Sequence, residues 1–247
     1  MRGTSDAYGH ELWDYYRSGS GYEVIERDDG FIDPSDVAPA LYFSSYKDWP
    51  AAEKRGLSYA KGRVLDVGCG AGRVALYLQD RKGLDVLGLD ISPLAVKVAR
   101  LRGVKKTVVL PFERIDFPRG SFDTIVMYGN NFGLFGSKSR ARRLLSRLHS
   151  MTKPEAVVIC ESVDIYATSD PVHLRYHRWN LLRGRMAGQV RIRVRYRTYV
   201  GKWFDYLLAS PAEMREIADG TGWRPPRVLR SKKGPLYVGI LRKSQPK

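Results

Sequence analysis

The stretch "VLDVGCGAGR" (residues 64–73) sets an acid, Asp66, two residues before the first of three alternating glycines, Gly68, Gly70 and Gly72. Glycines at that spacing after an apolar run make a turn in which a ligand can approach bare backbone. The pattern is G-x-G-x-G rather than the G-x-G-x-x-G of dinucleotide binders, and Asp66 suits a cationic or amino-bearing ligand better than a pyrophosphate. A second acid, Asp90, ends the run "LDVLGLD" (84–90), where a carboxylate can accept both hydroxyls of a ribose. An ordinary βα turn and a nicotinamide-type reductase are the competing readings.

Further along, "YGNNFGLF" (128–135) offers Asn130 and Asn131 just beyond a strand-like run. In open α/β sheets the reacting ligand sits past the carboxyl ends of the strands, so both amides are placed to meet a substrate. Their bland alternative is to turn the chain, since Asn tolerates left-handed backbone. Candidate proton acceptors are Tyr166 in "ESVDIY" and His173 and His177 in "DPVHLRYHRW". In "QVRIRVRYRTYV" (189–200), Val190, Ile192, Val194 and Tyr196 alternate with Arg191, Arg193, Arg195 and Arg197. The period of two predicts a strand with one apolar and one cationic face. That face is a solvent edge, an anchor for an anionic substrate, or a track for nucleic acid. The aromatics Tyr196, Tyr199, Trp203 and Phe204 fall on or beyond the apolar face, which tips the reading away from a stacking platform for RNA.

These groups need a scaffold. Between residues 63 and 165, strand-like runs (63–68, 84–90, 106–110, 122–128, 156–162) alternate with helical ones (72–81, 92–103, 137–152). Such alternation predicts a parallel, doubly wound sheet. Residues 163–189 read as irregular and polar, followed by strands at 189–200 and 203–208, a capped helix at 210–223, and closing strands at 227–230 and 236–243. The first 60 residues form an aromatic-rich segment, read as a helical lid in which Tyr8, Tyr15, Tyr42 or Tyr46 could line a pocket.

Of 247 residues, 43% are hydrophobic and 28% charged, which suits a globular α/β protein. No apolar run reaches membrane-spanning length, the N-terminus has no signal-peptide character, and a reducing cytoplasm is expected. Two cysteines, Cys69 and Cys160, are too few for a disulfide framework or a zinc site. The net charge of +16 is uneven: residues 1–60 hold 11 acids and 6 bases, whereas 171–204 hold eight Arg and Lys202 with no acid. Anionic partners follow as one expectation. Arg makes up 28 of the 42 bases, which a charge-rich thermophilic surface would also explain.

The glycine loop, Asp90 and "FPRGSFDTIVM" (117–127) together resemble the class I S-adenosylmethionine-dependent methyltransferases. The resemblance implies a Rossmann-like seven-stranded sheet of order 3-2-1-4-5-7-6, its seventh strand antiparallel at 236–243. It also implies a methyltransferase domain over 61–247, with a β-rich insertion (163–208) shaping the acceptor site. S-adenosylmethionine would be held by Asp66, Gly68, Cys69, Gly70, Gly72, Asp90 and Ile91, with Tyr128 at the end of the fourth strand. Where many members carry an adenine-binding Asp this chain has Pro111, so Phe112 and Glu113 take the adenine instead. Asn130, Asn131, Tyr166 and His173 are then the acceptor-side candidates, and "GNNF" is similar to a loop of glycine-type N-methyltransferases. The implied enzyme, a monomer or homodimer, methylates nitrogen or oxygen of a small molecule by in-line displacement. A tRNA or rRNA methyltransferase gripping RNA through 171–204 is the alternative, and a non-catalytic scaffold is a third.

Overall fold

The computed structural model describes residues 6–232 and 234–244, so the first five residues of the expected lid segment lie outside it. Eight α-helices are described: α1 (Ala7–Ser18), α2 (Ala38–Phe43), α3 (Ala51–Leu57), α4 (Arg73–Asp80), α5 (Pro93–Leu101), α6 (Lys138–Met151), α7 (Pro171–Leu182) and α8 (Pro211–Ala218). The strands are β1 (Glu23–Arg27), β2 (Ile32–Ser35), β3 (Arg63–Val67), β4 (Asp85–Asp90), β5 (Lys106–Val109), β6 (Phe122–Met127), β7 (Thr152–Val163), β8 (Gln189–Tyr196), β9 (Tyr199–Val200), β10 (Phe204–Leu207), β11 (Arg227–Arg230) and β12 (Leu236–Arg242). No helix among the described residues is long and apolar enough to cross a membrane.

Seven strands form one sheet in the order β11-β12-β7-β6-β3-β4-β5. β4 with β5 and β6 with β7 run parallel, while β12 runs antiparallel to β7. This is the expected order, with β12 as the reversed strand. A second sheet has the order β10-β8-β1-β2, with β9 paired to β8.

Two compact units can be distinguished: Met1–Trp49 with Asp66–Arg114 and Arg191–Phe204, and Pro50–Leu65 with Ile115–Val190 and Asp205–Lys247. In the first, Leu12, Ala71, Ala95 and Val98 form a buried cluster against which Tyr8, Trp13, Tyr42 and Phe43 pack. The ends of its helices are tied together. Asp6 caps α1 by accepting from Gly9 N at 2.9 Å, and its other oxygen takes the Ser92 hydroxyl at 2.6 Å, while Ser92 caps α5 through Ala95 N. Side-chain caps of this kind satisfy amides that a helix start leaves open. In the second unit, Ile125, Val126, Val158, Ile159, Val238 and Ile240 are fully or nearly fully buried along β6, β7 and β12. Apolar runs of this sort are what strands covered on both faces require.

Two expectations need correction. Residues 163–189 are not irregular, because they contain α7. Asp170 caps that helix through Val172 N and Pro171 starts it, but only Tyr176 and Asn180 are buried, so no apolar stripe marks it in sequence. Its anchor is polar: Asn180 Nδ2 donates to the Ala187 and Gln189 carbonyls at 2.9 and 3.0 Å. The N-terminal segment is also not purely helical, because it supplies β1 and β2. β1 buries Glu23 and Arg27 at its two ends, which hides the strand's alternation, and its partner β8 lies about 170 residues away, with Val24 opposite Arg195.

Candidate active site

The glycine loop leaves β3 and enters α4 through three left-handed residues, Gly68, Gly70 and Gly72 (φ 71°, 52° and 81°). A side chain at Gly72 would meet Val104 Cγ2 at 2.6 Å, and one at Gly70 would meet the Tyr8 hydroxyl at 2.7 Å. Both positions therefore need glycine for space as well as for backbone angle. The amides of Gly68 and Cys69 donate to the Leu89 carbonyl at 2.8 and 2.9 Å, which fixes the loop against the end of β4.

Asp90 closes the loop from the other side. Its Oδ2 accepts from Gly70 N and its Oδ1 from Ser92 N, each at 2.9 Å. Two amides occupy only part of a carboxylate's acceptor capacity, so sites for a ribose diol remain. Burial raises the Asp90 carboxyl to about 6 against the amide bonds from Ser92, Gly70 and Ile91 that favour its charge. Asp66, 2% exposed, has Oδ2 without a hydrogen-bond partner among the described residues, and burial raises it to about 7 although the Arg73 charge and the Ala75 amide pull the other way. A buried carboxylate oxygen with no donor is costly unless a ligand supplies one.

These observations meet the needs of S-adenosylmethionine: an acid with one unpartnered oxygen for its amino group, an acid with spare acceptor sites for its sugar, and a glycine cradle between them. Ile91, next to Asp90, is 66% exposed, an apolar surface suited to a base, and Phe112 is buried. Glu113 is exposed on the same short turn (Phe112–Arg114). The Cys69 side chain is buried against Gly88, and burial pushes its thiol up. The expected open hollow is covered instead. The Tyr8 hydroxyl stands over Gly70, and Asp90 is only 5% exposed.

The acceptor-side candidates Asn130, Asn131, Tyr166 and His173 lie in the second unit. Asn130 is left-handed (φ 62°), as a turn residue would be, and its Oδ1 is buried with no partner among the described residues. Glu161, almost wholly buried on β7, receives the amides of Gly129 and Asn130 at 2.7 and 3.3 Å, and the Tyr206 hydroxyl donates to the Asn130 carbonyl at 2.6 Å. Asn131 begins the short helical turn that follows. Tyr128 is buried, its hydroxyl donating to the Glu53 carbonyl at 2.8 Å. Tyr166 and His173 each meet an acid of the same unit. Tyr166 donates to Glu213 at 3.0 Å, and partial burial with the Glu213 charge pushes its phenol to about 12. His173 lies 4.0 Å from Asp170, the cap of its own helix.

Glu161 and Tyr206 were missed in the sequence. An acid inside the apolar run "AVVICES" was the available signal for the first, while nothing local marked the second.

The arginine row is largely engaged by the protein itself. Arg193 forks onto Glu26 at 2.7 and 2.9 Å, Arg195 adds a third contact to the same carboxylate at 3.0 Å, and Arg197 meets Asp14 at 3.0 Å. Arg193 also lies over the Trp203 ring.

Comparison with known proteins agrees with this geometry. Residues 64–155 match a family model described as a methyltransferase domain. A solved S-adenosylmethionine-dependent methyltransferase from Bacteroides fragilis, in complex with S-adenosyl-L-homocysteine, is 25% identical with a TM-score of 0.82, covering 99% of this chain and 97% of that one. A ubiquinone biosynthesis O-methyltransferase of Xanthomonas oryzae pv. oryzae is 43% identical over 56 residues, 23% of each chain. A protein named as a methyltransferase in Geobacillus sp. (strain WCH70) is 25% identical over 116 residues, 45% of each chain. This chain therefore spans less than half the length of either curated relative.

Proposed function

We propose that this chain, an S-adenosylmethionine-dependent methyltransferase by its domain match and its solved neighbour, methylates a nitrogen or oxygen atom of a small molecule. The observation that carries the cofactor half is the Asp90 carboxylate bonded to the Gly70 amide across a left-handed glycine loop, with the unpartnered Oδ2 of Asp66 in the same unit. When bound, the cofactor supplies an electrophilic methyl group on a sulfonium. Asp90 accepts from the sugar hydroxyls and Asp66 receives the amino group. Tyr8, Trp13, Tyr42 and Phe43 keep water from the loop, which strengthens each polar contact inside.

On the acceptor side, the buried Asn130 Oδ1 is a hydrogen-bond acceptor for a substrate N–H or O–H, held in place by the amide bonds to Glu161. Tyr166, raised to about 12, gives up its proton only in strong alkali and is a donor at neutral pH. That leaves an amine, which needs only to be neutral to attack, as the simpler acceptor than a hydroxyl, which needs a base.

The small-molecule reading is favoured over RNA by Arg193, Arg195 and Arg197, whose guanidinium groups meet Glu26 and Asp14. Such pairing opposes a phosphate track. Tritium transfer from labelled cofactor into metabolite, RNA and protein fractions of a cell extract tests the proposal. Label in the metabolite pool supports it, and label confined to RNA overturns it.

A further inference from the structure

Four side chains of the first unit come together, and the two acids among them have no role in the chemistry above. Glu11 on α1 is fully buried, and neither of its carboxylate oxygens has a hydrogen-bond donor among the described residues. Glu23 on β1 is 9% exposed and receives the Tyr42 hydroxyl at 2.9 Å. Tyr8 and Tyr42 meet edge to face with ring centroids 5.4 Å apart. Leucine or glutamine would fill the Glu11 position without the desolvation cost of a carboxyl group. Two acids walled by two aromatic rings are what a desolvated ammonium group requires, through charge-assisted hydrogen bonds and ring faces.

We propose that Glu11, Glu23, Tyr8 and Tyr42 form the binding pocket for the protonated amino group of the methyl acceptor, making that acceptor a small amine. The assignment rests on the methyltransferase reading above. Tyr8 belongs to both places, with its hydroxyl over Gly70 and its ring against Tyr42.

The titratable groups that act most on the pair are acidic or phenolic. Burial, then the charge of Glu23, holds Glu11 well above the usual carboxylate range. Glu23 is raised by burial and by Asp33 on β2, against the hydrogen bond from Tyr42 on α2. Tyr8 is raised by burial and then by Tyr42, Asp90, Glu11 and Glu23. Nearby cations are engaged elsewhere: Arg27 forks onto Asp29 at 2.8 Å, and Arg102 donates to the Ala71 carbonyl at 2.6 Å. The pair thus holds a proton in the free protein. An arriving ammonium displaces that proton to solvent, and the emptied carboxylate can then take a proton from nitrogen: the N–H bond breaks, an O–H bond forms, and the nitrogen lone pair is freed for methylation.

The test is carbon NMR of glutamate-labelled protein saturated with S-adenosylhomocysteine, following the Glu11 carboxyl through a pH titration with n-butylammonium chloride or n-butanol. Butylammonium should move the Glu11 midpoint downwards by roughly one pH unit or more, and butanol should leave it in place. Glu11→Gln and Glu23→Gln should bind S-adenosylhomocysteine as the parent does but lose butylammonium by roughly 10-fold or more. An unmoved midpoint in protein that binds S-adenosylhomocysteine overturns the pocket. So does a full shift caused by S-adenosylhomocysteine alone, which would give the pair to the cofactor's own ammonium. Failure to bind S-adenosylhomocysteine at all defeats the methyltransferase reading and withdraws the pocket with it.

Discussion

Single residues carry the cofactor chemistry. Gly70 must be left-handed and must leave room for the Tyr8 hydroxyl, 2.7 Å from where a Cβ would stand. Gly70→Ala should therefore cost about 1–2 kcal/mol of stability from backbone strain alone and abolish cofactor binding, read by urea unfolding and by calorimetry. Asp66 and Asp90 make opposite predictions for the free and the bound protein. Their folded-state pKa values, about 7 and about 6, lie above the ~3.9 of an unfolded aspartate. Between about pH 4 and about pH 7 the folded chain thus binds more protons, so the ligand-free protein should gain stability as pH falls through that window. Glu11 and Glu23, also raised, act with the same sign. With both aspartates holding the cofactor as proposed, they must be ionised to bind it, so affinity for S-adenosylhomocysteine should fall over the same interval. Melting temperature and calorimetric Kd between about pH 5 and about pH 8 check the two slopes. Parallel slopes would contradict the assignment.

At the level of elements, β8 is held to β1 by more than its backbone ladder. Glu26 stands opposite Arg193 in the register, and the two form a bidentate pair. Their side chains are 14% and 25% exposed, so Glu26→Gln should cost about 0.5–1 kcal/mol in denaturant unfolding, less at high salt. The parallel strands and their helices were legible in the sequence because their signals are local: apolar runs, three- and four-residue spacing, and Ser92 before Pro93. α7 was not, since its tertiary anchor is the Asn180 amide rather than an apolar stripe. The Glu11–Glu23 pair was not legible either. It needs β1 in a sheet whose neighbouring strand lies about 170 residues on, and no local pattern reports that pairing.

Across the whole molecule, +16 of net charge invites a nucleic-acid reading, and composition alone could not separate it from a charge-rich surface. Three members of the arginine row face acids of the same chain, a fact available only once Glu26 and Asp14 had been located in space. Binding to bulk tRNA should accordingly be weaker than about micromolar at physiological salt, with a shallow salt slope, in a filter or anisotropy titration. Tight and steeply salt-dependent binding would restore the RNA alternative. The claim beneath all of this is a cofactor nucleoside hooked by Asp90, and its most direct measurement is a calorimetric titration of S-adenosylhomocysteine into the parent chain and into Asp90→Ala. The expected result is saturable one-to-one binding to the parent, weakened by about 1–3 kcal/mol in a variant that stays folded. Equal affinity in the two proteins, or no binding to the parent, would contradict it.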